Sequence, residues 1–205
     1  SLTTPWLTER HGYDPTFSDI IKELKEKEKQ IEGQMIENGI SQCRVYVQNL
    51  KEKDYLFSFW EGTEEEIGKA AEKLKILSGT EARHVYEFKI HEGEDLRGLD
   101  ARGIIIGVAK GMLDEYIRLH DQQPQIIHDL CYANGFRKSS IFAFPLEADQ
   151  YYLLQFAEYK GKENPALYEN KEYQKWLRVT GACQVPLPGE KFWKEMQQVY
   201  RYINA

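Results

Sequence analysis

In residues 17–38, Ile20, Leu24, Ile31 and Met35 fall at spacings of 4, 7 and 4, a stripe on one helical face with Lys and Glu between them on the solvated side. The spacing predicts one helix, closed by Asn38-Gly39, where a left-handed residue is wanted. Two apolar, β-favouring runs follow, at 43–47 and 55–60, and read as neighbouring strands joined by a polar turn. Thr63, with Glu66 three residues on, predicts a capping box for a second helix carrying Ile67, Ala70, Ala71 and Leu74. Residues 84–90 read as a strand and the charged, glycine-containing stretch 91–102 as a linker. In the opening, Pro5, Gly12 and Pro15 interrupt any regular pattern, so no first strand is expected there.

The second half repeats this order. A strand at 103–109 leads to a helix over 112–134, closed by Gly135, then strands at 139–144 and 151–158, a helical segment including 173–177, and a last strand at 198–203. Asn38-Gly39 matches Asn134-Gly135 at an offset of 96, and residues 55–61 match 152–158 at 97, one inserted residue in the intervening turn. A tandem duplication accounts for both offsets. The expected class is α+β: two tandem ferredoxin-like βαββαβ units, each with both helices on one face of an antiparallel sheet. The expected division is an irregular segment 1–14, a degenerate repeat 15–90, a linker 91–102 and a second unit 103–205. Two such sheets can cover each other within one polypeptide as an intrachain dimeric α/β barrel. The chain is then a monomer with an internal pseudo-dimer, or a homodimer through its second units.

Composition narrows the function classes. The chain has 205 residues, of which 41% are hydrophobic and 13% aromatic, enough to fill a core. With 27 basic against 33 acidic residues the net charge is −6, and no basic stripe is present, which argues against nucleic acid as a partner. No apolar run approaches the roughly 20 residues of a membrane-spanning helix. Cys43, Cys131 and Cys183 are widely spaced, without the pattern of a zinc site or a disulfide framework, and read as reduced thiols of a cytoplasmic protein. No phosphate loop or metal-ligand spacing is evident, so no cofactor or metal is expected.

Tyr116 and His120 are the candidate chemistry. They lie four apart on the predicted helix and share one face, whereas their counterparts in the first copy are Ile20 and Leu24. An apolar face in one copy and a phenol with an imidazole in the other point to an active second unit and a structural first one. The same two side chains also serve elsewhere as hydrogen-bonded packing residues. His84, His91 and His128 lack partners in sequence and read as solvated or capping residues, and His11 belongs to the irregular opening.

At Glu115-Tyr116-Ile117-Arg118-Leu119-His120, the following Gly135, Tyr173-Gln174-Lys175-Trp176 and Cys183-Gln184-Val185-Pro186-Leu187-Pro188-Gly189, the sequence resembles the L-rhamnose mutarotase family. The segment Trp193-Lys194-Glu195-Met196-Gln197-Gln198-Val199-Tyr200 extends the resemblance, which covers about residues 103–202. It implies a cofactor-free isomerase that interconverts the α and β anomers of a pyranose, with a monosaccharide as its ligand. Carried over residue by residue, it makes His120 the proton donor, Tyr116 a hydroxyl that positions the sugar, and Trp176 a flat face for stacking on it. Leu177 stands where the family has a second tryptophan, and Ser139 where it has a strand tyrosine. Pro124 stands one residue early relative to the family's Trp-Pro. These departures bear on which sugar is bound. The competing expectation is a carbohydrate- or small-ligand-binding module that does not turn its ligand over.

Overall fold

Along the chain the elements are β1 (Leu2–Arg10), α1 (Ser18–Glu26), α2 (Glu28–Glu37), β2 (Gln42–Leu50), β3 (Lys53–Gly62), α3 (Glu64–Lys73), β4 (Thr80–Glu81) and β5 (Arg83–Glu87). They continue as β6 (Asp100–Val108), α4 (Leu113–Asp121), α5 (Gln125–Ala133), β7 (Phe136–Glu147), β8 (Gln150–Tyr159), α6 (Ala166–Glu169), α7 (Lys171–Gly181), β9 (Gln184–Val185), β10 (Lys194–Glu195) and β11 (Gln197–Ile203). This computed structural model describes residues 2–10, 12–147, 149–162 and 164–204, so His11 lies outside the described residues. The chain forms two compact units, Ser1–Ala82 with Met196–Ala205, and Arg83–Glu195.

The first unit holds a five-stranded antiparallel sheet in the order β11-β2-β3-β1-β4. Its run β4-β1-β3-β2 is the strand order of a ferredoxin-like βαββαβ unit, and β11 extends it beside β2. The core forms where Ile20 and Leu24 of α1, Ile31 and Met35 of α2, and Ile67 and Ala70 of α3 meet Cys43, Val45, Leu56 and Trp60. At α3 the capping box is present: Thr63 Oγ1 accepts the Glu66 N–H at 3.2 Å, and a Glu66 carboxylate oxygen accepts the Thr63 N–H at 2.7 Å.

Residues 2–10 form a strand that the sequence reading does not expect. Pro5 is tolerated because of the side on which its nitrogen falls. Its carbonyl accepts the Ala82 N–H at 3.2 Å, on the β4 side. A strand residue's N–H and C=O point to the same side, so the missing donor also faces β4. The β3 ladder runs unbroken from Leu2–Gly62 to Arg10–Asp54.

The second unit repeats the plan, with its sheet in the order β10-β6-β8-β7-β5 and β9 also pairing with β6. The short β9 and β10 take the place of the fourth strand, and β5 extends the sheet beside β7. Here the expected boundaries are corrected. The strand read as the end of the first copy pairs in the second sheet, and the one read as the end of the second copy pairs in the first. Hydrophobic alternation identifies a strand without identifying its neighbour. The chain therefore crosses between units at 82–83 and 195–196, and the stretch expected as a linker at 91–102 belongs to the second unit. Within it, Glu94 accepts hydrogen bonds from the Tyr132 hydroxyl and from Arg137 Nε, the latter at 2.8 Å.

Both predicted long helices are built in two pieces. In the second copy the break falls at Pro124, whose ring and missing N–H end α4. In the first it falls at Lys27, and helical bonding continues across it, from Lys27 N–H to Glu23 O and from Ile31 N–H to Lys27 O. Asn38 and Asn134 cap the two pairs alike, each donating its side-chain amide to the carbonyl four residues back, and Gly39 and Gly135 follow with φ of +72° and +101°. No helix among the described residues is long and apolar enough to cross a membrane.

Tyr202 on β11 is buried in the first unit's core, and Val199 and Tyr200 pack against it. Deleting residues 196–205 is expected to cost about 2–4 kcal/mol from lost apolar burial and ladder bonds. Hydrogen exchange is the check: the amides of β2 lose protection in the truncated chain, and unchanged protection there would refute the pairing.

Candidate active site

Tyr116 and His120 sit one turn apart on α4, on the face that packs toward the sheet of the second unit. Leu113 and Tyr116 anchor that face against Ile106, Val108, Ile141 and Leu153. His120 is 8% exposed and lies in the last turn of α4. Its Nδ1 lies 3.0 Å from the Tyr116 carbonyl. A carbonyl only accepts, so Nδ1 carries the proton and, in the neutral ring, Nε2 keeps its lone pair. Burial lowers the His120 pKa below the ordinary histidine value, against the opposing pull of that hydrogen bond and of Asp121.

Three aromatic rings surround the imidazole. Tyr116 lies tilted with its centroid at 4.3 Å, while Tyr86 and Trp176 meet it edge-on, each at 5.1 Å. Trp176 comes from α7, which Asn170 starts by accepting the N–H groups of Glu172 and Tyr173. Tyr86 comes from β5, and its hydroxyl donates to Gln123 Oε1 at 2.8 Å. Gln123 follows α4, and its backbone N–H returns to the His120 carbonyl. The Tyr116 hydroxyl hydrogen-bonds the side chain of Gln184, and burial raises the pKa of both Tyr116 and Tyr86, keeping the two phenols protonated.

Of the residues expected from sequence, Tyr116, His120 and Trp176 are thus brought together. Ser139 lies on β7, 2% exposed, with its hydroxyl accepting from Gln155 Nε2 at 2.7 Å. Leu177 packs on the neighbouring cluster of Phe88, Ile127, Ala157 and Tyr173. The sequence reading does not find Tyr86, Gln123 or the role of Gln184. Gln184 lies inside a motif of the family resemblance. Tyr86 had no available signal, since it sits in a strand whose partner is set by tertiary structure.

The other described histidines, His84, His91 and His128, make contacts away from this cluster. His84 pairs with Glu87 at 3.1 Å on the surface. His128 departs from the solvated expectation: its Nε2–H donates to Lys89 O at 2.9 Å, and its ring stacks on Phe88 at 4.2 Å. His91 stacks on Tyr132 at 3.8 Å. Among the described residues no group of three or more His, Cys, Asp or Glu is arranged to hold a metal ion. Cys183 is buried beside Tyr116, and burial raises its pKa, which leaves the thiol protonated.

Among solved structures, the chain is similar to a candidate monooxygenase from Lactobacillus acidophilus NCFM, at 9% identity and a TM-score of 0.48 over 99% of this chain and 97% of that one. It is also similar to a candidate monooxygenase from Fusobacterium nucleatum subsp. nucleatum, at 10% identity and a TM-score of 0.47 over 100% and 99% of the two chains. An anthrone oxidase-like protein gives 14% identity and a TM-score of 0.46 over 98% and 92%. No curated protein matches the sequence. A family model does match, and it covers the unit's α4, α7 and the strands between them: residues 102–202 of this chain carry the sequence pattern of the L-rhamnose mutarotase family.

Proposed function

We propose that the second unit is a mutarotase of the L-rhamnose mutarotase type, interconverting the α and β anomers of a pyranose with His120 as its proton carrier. The observation that carries this reading is the setting of the imidazole: Nδ1 is tied to the Tyr116 carbonyl, and Tyr116, Tyr86 and Trp176 hold the ring on three sides. Nε2 is then the atom that meets the sugar. In its neutral form it takes the proton of the anomeric hydroxyl, whose O–H electrons become the second bond of an aldehyde as the C1–O5 bond breaks. The imidazolium so formed gives its proton to the ring oxygen and returns to the neutral state. Rotation about C1–C2 turns the other carbonyl face inward, and the reverse sequence closes the second anomer.

In this scheme His120 is the proton donor only after it has been the acceptor, which suits a histidine whose pKa burial has lowered. Tyr116 becomes a positioning residue, through its carbonyl on Nδ1 and its ring beside the imidazole. Trp176 offers its flat face to the C–H side of a pyranose.

Two outcomes are expected from NMR anomer exchange, measured with L-rhamnose, L-fucose and L-lyxose. His120→Ala lowers the catalysed rate at least about a hundredfold while its circular dichroism is retained; an undiminished rate would remove His120 from the mechanism. In the wild type, catalysis is flat above neutral pH and falls as the pH drops through a value below the ordinary histidine pKa, because a protonated Nε2 cannot accept the hydroxyl proton. A rate that rises into acid would contradict this order of proton transfer. Saturable sugar binding without accelerated exchange would instead identify a binding module.

A further inference from the structure

Gln155 is out of place for a structural residue. It lies on β8, a central strand with β6 on one side and β7 on the other. Its register partners are Ile104 and Ile141. Leu153 and Ala157, two residues away on either side, pack into the clusters beneath the helices, so alternation turns Gln155 toward the helices as well. Its neighbours on β8 are buried, yet Gln155 is partly exposed: solvent reaches the middle of the sheet at this point. Its Nε2 donates to Ser139 Oγ, and its Oε1 has no partner among the described residues. An amide fixed by one hand with its acceptor open is suited to receive a hydroxyl.

The corresponding positions of the first copy are built differently. By the offsets of 96 and 97, Ser139 and Ala157 correspond to Cys43 and Trp60, which are register partners in the first sheet as Ser139 and Ala157 are in the second. Gln155 corresponds to Ser58. In the first copy the Trp60 indole is fully buried and its Nε1–H donates to Ser58 Oγ at 2.7 Å, so that aromatic bulk fills the layer and its polar atoms are satisfied internally. In the second copy the small Ala157 stands at the tryptophan position and Gln155, with its open acceptor, stands two residues before it. Trp176 links this part of the sheet to the imidazole, because it packs on the cluster containing Ala157 and meets His120 edge-on at 5.1 Å.

We propose that Gln155 is a specificity-determining residue of the site: its free amide oxygen accepts a hydrogen bond from a ring hydroxyl of the bound pyranose, on the partly exposed part of the sheet where the first copy carries the Ser58–Trp60 pair. This rests on the mutarotase reading of the second unit. It assigns sugar preference to the sheet side of the site and proton transfer to the helix side. Ser139 acts through Gln155, as a positioning residue.

The test compares wild type, Gln155→Leu, Ser139→Ala, Ser139→Thr and Ala157→Trp, each checked for folding by circular dichroism and thermal melting. Anomer exchange and calorimetric binding are read with L-rhamnose, L-fucose and L-lyxose. Gln155→Leu is expected to weaken binding of the preferred sugar about tenfold, to act on KM more than on kcat, and to flatten the ranking among the three sugars. Ser139→Ala gives a smaller loss, which Ser139→Thr restores, and Ala157→Trp abolishes binding in a folded protein. Unaltered affinity and ranking in Gln155→Leu would overturn the assignment even where wild-type exchange is fast. Sugar binding that depends on Gln155 without accelerated exchange would support the recognition role and overturn the mutarotase reading, and no binding of any of the three sugars would overturn both.

Discussion

The antiparallel ladder between β5 and β7 is the interaction on which the candidate site depends. It is short, running from Arg83–Ala143 to Glu87–Ser140, and it contains a register shift between His84 and Tyr86. A bulge of this kind re-aims side chains. Here Val85 and Tyr86 both reach the cluster beneath α4, and Tyr86 closes one side of the His120 ring. The Tyr86–Gln123 hydrogen bond then ties the end of α4 to the strand, so the position of the imidazole depends on backbone bonds made by a segment that precedes the rest of its unit. Half of the environment of His120 is fixed by α4 itself, through the Tyr116 carbonyl, and the other half by this ladder and by α7.

The two copies illustrate how one fold is pushed toward packing or toward binding. In the first, the helix face carries Ile20 and Leu24 and the sheet face carries Cys43, Val45 and Trp60, an apolar set that interlocks in one core. In the second, the same positions carry Tyr116, His120, Ser139, Ile141 and Ala157. Each polar group there is held by a specific partner: His120 by a carbonyl, Tyr116 by Gln184, Ser139 by Gln155. Buried polar groups cost stability unless bonded in this way, so these hydrogen bonds are what allows the second copy to carry polar side chains where the first carries apolar ones.

The local signals in the sequence were dependable where the physics is local. Period-3.6 stripes located the helical stretch that becomes α1 and α2 and the helix α3, Thr63 and Glu66 specified the capping box of α3, and Asn-Gly closed both helix pairs. The Tyr116–His120 spacing placed two groups on one helix face, and that required only helical geometry. What remained hidden was set over long range. Pro5 looked like a strand breaker because the side on which its missing donor falls is decided by β4, over seventy residues away. The exchange of β5 and β11 and the resulting place of Tyr86 follow from pairing choices to which alternation is blind. Gln155 lies unmarked within the predicted strand 151–158, and only the register with Ile104 and Ile141 shows how exceptional its position is.

Pro5 has one more effect, on what the first unit does not do. β4 is registered with β1 at Trp6 and Leu7, and the Ala82 N–H adds one bond to Pro5, so this second ladder of β1 is short. Pro5 is buried, accepts the Ala82 N–H through its carbonyl and has no N–H to return on that side, so the pairing with β4 is not continued past this point. The residue that obscured the strand in the sequence thus also sets where its second ladder stops.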